Sequence, residues 1–409
     1  MKENVYNILK KRGFIEQVTD EEALSKILES RLTCYAGFDP TASSLHVGHL
    51  LPIMALAHMQ RAGHRPIILL GGGTALIGDP SGKNEMRQFL APEEIERNTE
   101  KIKEQFSKYI DFCEDKALIV NNAQWLLPVK YIEFLRDIGR HFSVNRMIAA
   151  ESYKMRLETG LNFIEFNYML LQAYDFLHLF QNHQCVLQMG GNDQWGNIVA
   201  GIDLVRKVER KAAYGLTFPL IVSATGAKMG KTEKGAVWLD PKKTSPYEYY
   251  QYWINTDDRD VERFFTFFTF MSIEEIADCL QEGVSSIQKA KEILAFEATR
   301  LTHGESEAKK ARESSRSVFY GDGNSLDSLP TTSVERERLR KGIPAFMVFD
   351  EVKLCSTRSE ARRLINEGGA YINGIQLKVF DQTIDEGNIK DGVILLRAGK
   401  KRYHKILLK

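Results

Sequence analysis

Between Thr33 and Val222 the chain alternates short apolar runs with amphipathic stretches, and this alternation limits its fold more than any other feature. Cys34–Phe38, Pro66–Leu70, Ala117–Val120, Cys185–Met189 and Phe218–Val222 read as buried strands, each bounded by Gly, Asp or Asn. Helical patterns lie between them: about His46 to Arg61, stopped by Gly63, about Val129 to His141, and about Gln194 to Glu209. Strands and helices in this order predict a parallel sheet with right-handed crossovers, a Rossmann-like α/β domain. Ligands of such sheets bind at the carboxyl ends of the strands.

A chain of 409 residues is too long for one core and predicts two or three domains. After Ser245 the pattern turns helical, with Phe264, Phe267, Phe268 and Met271 on one face, best read as core. Tyr320–Ser333 is rich in Gly, Ser, Asp and Asn and reads as a linker. Beyond it a short helix, Ser359–Glu367, precedes strands near Ala370–Ile372, Gln376–Val379 and Val393–Leu396, a small α+β module. The expected division is 1–222 for the Rossmann-like domain, 223–245 for a mobile lysine-bearing loop and 246–320 for a helical domain. A linker at 321–340 and a small domain at 341–409 complete it.

Net charge is +1, but residues 331–409 hold 16 Lys and Arg against 10 Asp and Glu, or +6, which leaves −5 for residues 1–330. A basic appendage on an acidic body suits a polyanion, and a solvated basic tail is the alternative on charge alone. No apolar run is long enough to span a membrane. The acidic first residues, with Glu3, Glu16, Asp20, Glu21 and Glu22, do not read as a targeting segment. Five scattered cysteines without a Cys-x-x-Cys pair suit reduced thiols, so a cytoplasmic protein is expected.

Two motifs carry the chemistry. Strand Cys34–Phe38 runs into Asp39-Pro40-Thr41 and then His46-Val47-Gly48-His49 at a helix start. A helix N-terminus offers unpaired N–H groups to phosphate, and imidazoles at i and i+3 share a face. Gly48 leaves the backbone open for a flat nucleotide. The pair lacks the Glu of a His-Glu-x-x-His metal site, so no tightly bound metal is expected. About 180 residues later, Ala224–Lys234 carries Lys228, Lys231 and Lys234 with Gly226 and Gly230, a loop able to neutralise charge at a triphosphate. Either motif alone is weak, since paired histidines and lysine runs are often merely solvated.

Together the two motifs resemble the paired signatures of class I aminoacyl-tRNA synthetases. The second, Lys228-Met229-Gly230-Lys231-Thr232, has Gly at its centre and Thr last, a form similar to that of bacterial tyrosyl enzymes. Further segments look like pocket segments of that family: Tyr35-Ala36-Gly37-Phe38-Asp39-Pro40-Thr41, Ile77-Gly78-Asp79-Pro80-Ser81, the i, i+4, i+7 stripe Tyr168, Gln172 and Asp175, and Gly190–Asn197. The resemblance implies that Tyr35 and Asp175 hold the phenol of L-tyrosine, Asp79, Tyr168 and Gln172 its ammonium, and Gln194 its carboxylate. It implies further that Asp193 and Gly191 receive the ribose, that Thr41, His46 and His49 grip the ATP phosphates, and that Lys228 and Lys231 close over them. Asp39 and Gly48 would line the nucleotide side, and Lys83 and Arg87 would add charge from a loop after Gly82. Two positions depart from the family: Ala36 stands where many relatives carry a ribose-binding Cys, and Ala75 where Gly is common.

The C-terminal module resembles an RNA-binding domain first seen in a ribosomal protein, over Ser356–Ile365 and Gly368–Gly374. Arg358, Arg362 and Arg363 are its candidate tRNA phosphate contacts, with Lys400-Lys401-Arg402 extending them. Partners implied are L-tyrosine, ATP with Mg2+ as its counterion, and tRNA(Tyr), in a homodimer built near residues 134–148. Three rivals remain open on the residues. A tryptophanyl enzyme would not need Tyr35 and Asp175. A small nucleotidylyltransferase would lack the Tyr–Gln–Asp stripe. An inactive RNA-binding paralogue would not need His46, His49, Lys228 and Lys231.

Overall fold

The computed structural model describes residues 3–81, 90–150, 153, 157–158, 160–224, 226, 229–232, 235–281, 283–320, 329–390, 392–399 and 402–409, with backbone alone at 231–232, 283–286 and 318–320. The chain forms two compact units. One comprises Met1–Lys231, Ala236–Asp240 and Thr256–Ala290; the other comprises Thr232–Gly235, Pro241–Asn255 and Lys291–Lys409. The expected helical domain at 246–320 is therefore divided between them. Its helix Val261–Phe268 belongs to the first unit because Phe267 packs edge-on against Phe14 at 5.3 Å.

The first unit is built on a six-stranded sheet: β1 (Gln17–Val18), β2 (Thr33–Phe38), β3 (Arg65–Leu70), β4 (Leu118–Asn121), β5 (Cys185–Gly191) and β6 (Tyr214–Phe218). Their order is β1-β6-β5-β2-β3-β4, parallel except for the antiparallel edge strand β1. Strands β2 and β3 are apolar along nearly their whole length, as strands covered on both faces must be. Helices Leu50–Ala62, Tyr168–His183 and Trp195–Glu209 supply the cover, with Phe176, Leu177, Leu204 and Val205 packed against Tyr35, Ile67 and Leu69. From β2 the chain proceeds outward through β3 to β4, then crosses back to β5 and outward to β6. The switch point therefore falls between β2 and β5, where an open parallel sheet forms its crevice.

The strand expected at Phe218–Val222 is corrected to Tyr214–Phe218. Pro219 follows, with no N–H for the ladder, and the aromatic and β-branched residues lie before it. The helix expected over Val129–His141 is Tyr131–Asp137 followed by a 3-10 turn, Gly139–His141. Phe264, Phe267 and Phe268 are core as expected, whereas Met271 lies past the helix end.

In the second unit a five-stranded sheet comprises β7 (Thr331–Val334), β8 (Ala370–Ile372), β9 (Ile375–Gln376), β10 (Val393–Ala398) and β11 (Arg402–Leu408), in the order β9-β8-β10-β11-β7. Helices Ala345–Glu351 and Arg358–Asn366 close its core through Val348, Phe349, Ala361 and Ile365. Of the expected linker 321–340, residues 321–328 lie outside the described residues, but the rest is structured. Thr331–Val334 pairs parallel with β11 and Arg336–Arg340 is helical. The β-branched pair Thr331-Thr332 suits a strand once a partner is present.

Candidate active site

At the switch point Tyr35 of β2 lies opposite Gln188 of β5, and a cleft of about 470 Å³ opens there toward the carboxyl ends of both strands. Helix Tyr168–His183 presents Tyr168, Gln172 and Asp175 to the same cleft, as their i, i+4, i+7 spacing requires. Asp79 enters from the loop after β3, and Asn122 from the residue after β4.

The floor of the cleft is buried and polar. Asp175 is 1% exposed; its Oδ1 accepts from Trp125 Nε1 at 2.7 Å and its Oδ2 from Asn122 Nδ2 at 2.9 Å. Burial pushes this carboxyl up to about 7, against the pull of those two donors. Tyr35 is also 1% exposed, its ring tilted against Phe176 at 5.3 Å, and its hydroxyl has no hydrogen-bond partner among the described residues. Burial first, and then the Asp175 charge, raise that phenol well above its ordinary range. Gln188 Oε1 is likewise buried without a partner. Leaving such groups unmet costs free energy, so this floor suits a ligand that carries its own hydroxyl.

Above the floor a network of amides and carboxylates fixes the next layer. Asp79 accepts from Ser81 N at 2.9 Å and from Gln194 Nε2 at 2.6 Å, and burial lifts it to about 6. Asn197 Nδ2 donates to Gln172 Oε1 at 3.0 Å and to Gln194 Oε1 at 3.2 Å. Tyr168 Oη donates to Asp39 Oδ2 at 3.1 Å, while Thr74 Oγ1 donates to Asp39 Oδ1 at 2.9 Å. Carboxylates of Asp39 and Asp79 thus line one layer, an environment for a cation.

The mouth is shaped by the histidine turn, a 3-10 helix Val47–His49 that leads into Leu50–Ala62. His46 Nδ1 accepts from Gly48 N at 3.0 Å and His49 Nδ1 from His46 N at 3.1 Å. With each Nδ1 used as an acceptor, the neutral ring carries its proton on Nε2 and can donate there. Burial and the neighbouring His46 hold His49 down to about 3, so it acts as a neutral donor and not as a cation. A Cβ on Gly48 would meet His46 Cε1 at 2.7 Å, which reserves the position for glycine. Thr41, Gly191, Asp193 and Gln194 also line the cleft, with Gln194 Nε2 bonded to Asp193 Oδ2 at 3.0 Å.

Lys83, Arg87, Lys228, Lys234, Lys400 and Lys401 lie outside the described residues, and Lys231 is described only in its backbone. Ala36 lines the cleft with no hydrogen-bonding group, while Cys34 is fully buried and its thiol raised by burial. In the second unit Arg358 pairs with Asp350 at 3.4 Å, Arg363 is exposed, and Arg362 stacks over Phe346 at 4.2 Å and Phe380 at 5.4 Å. Among the described residues no group of three His, Cys, Asp or Glu side chains could hold a metal ion, and no helix is long and apolar enough to cross a membrane.

Sequence reasoning missed Asn122, Trp125 and Gln188, and gave Asn197 no role of its own within the pocket segment Gly190–Asn197. Gln188 had a signal: it is the one polar side chain in the run Cys185–Met189. Asn122 follows a strand end, where ligands of parallel sheets bind.

Residues 28–320 match the family described as tRNA synthetases class I (W and Y), and residues 323–406 match the tyrosine–tRNA ligase SYY-like C-terminal domain. The tyrosine–tRNA ligase of Desulfatibacillum aliphaticivorans is 56% identical, covering 100% of this chain and 99% of that protein. That of Syntrophus aciditrophicus is 57% identical over 98% of each. A C-terminally truncated mitochondrial tyrosyl-tRNA synthetase from Aspergillus nidulans superposes with a TM-score of 0.71 at 32% identity, covering 78% of this chain and 95% of that one. On these matches the chain belongs to the class I tRNA synthetases (W and Y) and, within them, to the tyrosine–tRNA ligases.

Proposed function

We propose that this chain activates L-tyrosine with ATP and transfers it to the 3′ end of tRNA(Tyr), working in the cytoplasm. The observation that carries the choice of amino acid is the buried pair at the cleft floor, a Tyr35 hydroxyl with no partner among the described residues beside the Asp175 carboxylate. A phenol hydroxyl can accept from Tyr35 and donate to Asp175. An indole N–H could serve Asp175 but would leave Tyr35 without an acceptor, which disfavours tryptophan.

Asp79, Tyr168 and Gln172 take the ammonium, and Gln194 orients the carboxylate. That carboxylate attacks the α-phosphorus of ATP, a bond to pyrophosphate breaks, and tyrosyl-adenylate forms. No general base is required, because a carboxylate is already a nucleophile; catalysis is positioning and charge stabilisation. His46 and His49 donate Nε2–H to phosphate oxygens, with Thr41 and Gly48 beside them. Lys228 and Lys231 neutralise the leaving group, Lys83 and Arg87 add charge, and Mg2+ accompanies the triphosphate as its counterion. Asp193, Gly191 and Asp39 receive the ribose side, with one hydrogen bond fewer because Ala36 cannot make it. A ribose hydroxyl of the tRNA then attacks the tyrosyl carbonyl and releases AMP.

Exposed Arg363, and Arg358 at the exposed edge of its pair with Asp350, meet tRNA phosphates, while Arg362 is engaged with two phenylalanine rings. Exposed Tyr131, Ile132, Val144, Ile148 and Phe163 supply an apolar surface for a second copy, so a homodimer is proposed. Transfer of labelled tyrosine to tRNA tests the whole reading. The full chain should charge tRNA(Tyr), and a chain ending at residue 320 should form tyrosyl-adenylate without charging. Charging by the shortened chain would remove the C-terminal module from the reading, and no charging by the full chain would overturn it.

A further inference from the structure

Asp260 is 3% exposed and is not among the described residues that line the cleft. Its Oδ2 accepts from Ala224 N at 2.7 Å, and its Oδ1 accepts from the Arg263 guanidinium at 2.6 Å. The same guanidinium donates to Val222 O at 2.6 Å. One side-chain pair thus holds both a backbone donor and a backbone acceptor on the segment that enters the motif Lys228-Met229-Gly230-Lys231.

From that segment, backbone hydrogen bonds lead to the histidine turn. Met229 N donates to Ile221 O at 3.1 Å, Val237 N to Gly230 O at 2.9 Å, and Val47 N to Val237 O at 2.9 Å. Gly230 approaches the turn so closely that a Cβ there would come 3.0 Å from Gly48 N. The anchor itself is firm. Asp260 immediately precedes helix Val261–Phe268, and buried Arg12 donates to Thr266 O at 2.9 Å, to Thr269 O at 3.2 Å and to Met271 O around the far end of that helix. A buried carboxylate joined to an arginine and to a main-chain N–H is costly to keep unless its partners stay in place, so it ties the segment to the helix.

We propose that Asp260 and Arg263 are positioning residues for the ATP-dependent step. They act through the backbone of Val222 and Ala224 to hold the Met229–Gly230 corner against the His46–Gly48 turn. This rests on the reading that the histidine turn and the lysine motif handle the ATP phosphates. Among the described residues the pair bonds Val222 and Ala224 and none assigned to tyrosine, so it should govern the use of ATP and leave tyrosine binding alone.

The test compares the full chain with Asp260→Ala, Asp260→Asn and Arg263→Gln in tyrosine-dependent pyrophosphate exchange, and measures tyrosine binding without ATP. Asp260→Ala should lower kcat/KM for ATP by about 10- to 100-fold, the loss expected for a hydrogen bond to a charged group. Asp260→Asn keeps an oxygen for Ala224 N–H and should recover most of that loss. Arg263→Gln, at a half-exposed position suited to a folded variant, should lower the same parameter by about 3- to 10-fold. Tyrosine affinity should stay within about twofold in all of them. The inference is overturned if Asp260→Ala and Arg263→Gln use ATP like the unaltered chain. It is equally overturned if tyrosine affinity falls in step with exchange, because the pair would then only support the fold. An unaltered chain without tyrosine-dependent exchange would instead refute the proposed function, and this inference with it.

Discussion

Trp125 Nε1 donates a 2.7 Å hydrogen bond to Asp175 Oδ1, so the carboxylate proposed to meet the substrate phenol is steadied from behind by an indole. Together with Asn122 on Oδ2, this contact offsets part of the cost of burying the charge, yet burial still lifts Asp175 to about 7 and Asp79 to about 6.

A pH dependence follows from those two values. If the ionised carboxylates are the forms that bind tyrosine, as proposed, affinity should rise as pH climbs from about 5 to 8. Stability of the unliganded protein should move the other way. Both folded-state values lie above the unfolded one, so the contribution is fully present below the unfolded value and is lost as pH rises through about 6 and about 7. Trp125→Phe should move the upper limb of the affinity profile to higher pH by about one unit or more. Tyrosine titrations and thermal melts across that range check both directions. An affinity that is flat with pH would mean that the two carboxyls ionise elsewhere or do not face the ligand.

Tyr35→Phe should weaken transition-state binding by about 0.5–1.5 kcal/mol, roughly 2- to 13-fold in kcat/KM for tyrosine. Because the hydroxyl has no partner among the described residues, its removal should leave the melting temperature unchanged or slightly raised. Exchange kinetics and a melt on the same preparation decide it. A loss of stability with unchanged kcat/KM would show that the hydroxyl serves the fold and not the ligand.

Gly230→Ala places a side chain where φ is +80° and where a Cβ would come 3.0 Å from Gly48 N and 3.4 Å from His46 Nδ1. Strain of roughly 1–2 kcal/mol should lower kcat/KM for ATP by about 5- to 30-fold. Tyrosine affinity measured without ATP should not change. Unaltered use of ATP by this variant would mean that the corner at Gly230 does not matter to the reaction.

In the C-terminal module, Arg358→Ala and Arg363→Ala should each reduce the slope of log affinity for tRNA against log salt by about 0.7–1. Arg362→Ala should leave that slope alone and instead destabilise the module by about 0.5–1 kcal/mol per lost ring contact. Filter binding at several salt concentrations, paired with thermal melts, separates the two. A salt slope that fell equally for Arg362→Ala would place its guanidinium on phosphate.

The sequence was most readable where one period repeats without interruption. Strands β2, β3 and β5 and the stripe Tyr168, Gln172 and Asp175 carry their pattern in contiguous residues, so their positions and faces could be read directly. What escaped depends on distant partners. Thr331–Val334 becomes a strand only because β11 lies beside it, and two-residue β1 exists through its pairing with β6. Trp125 and Asn122 become site residues because the β4 edge of the sheet reaches Asp175 from another part of the chain. The place of Arg362 on a basic helix is legible in the sequence, whereas the rings of Phe346 and Phe380 beneath its guanidinium come only with the fold.

The cleft is proposed to select a phenol-bearing amino acid and to join it to AMP. Pyrophosphate exchange into ATP, measured with each of tyrosine, phenylalanine and tryptophan as sole amino acid, tests it most directly. Tyrosine should support rapid exchange. Phenylalanine should fail because Asp175 would face a ring with no donor, and tryptophan because Tyr35 would face an indole with no acceptor. Exchange with tryptophan as fast as with tyrosine would contradict selection of the phenol.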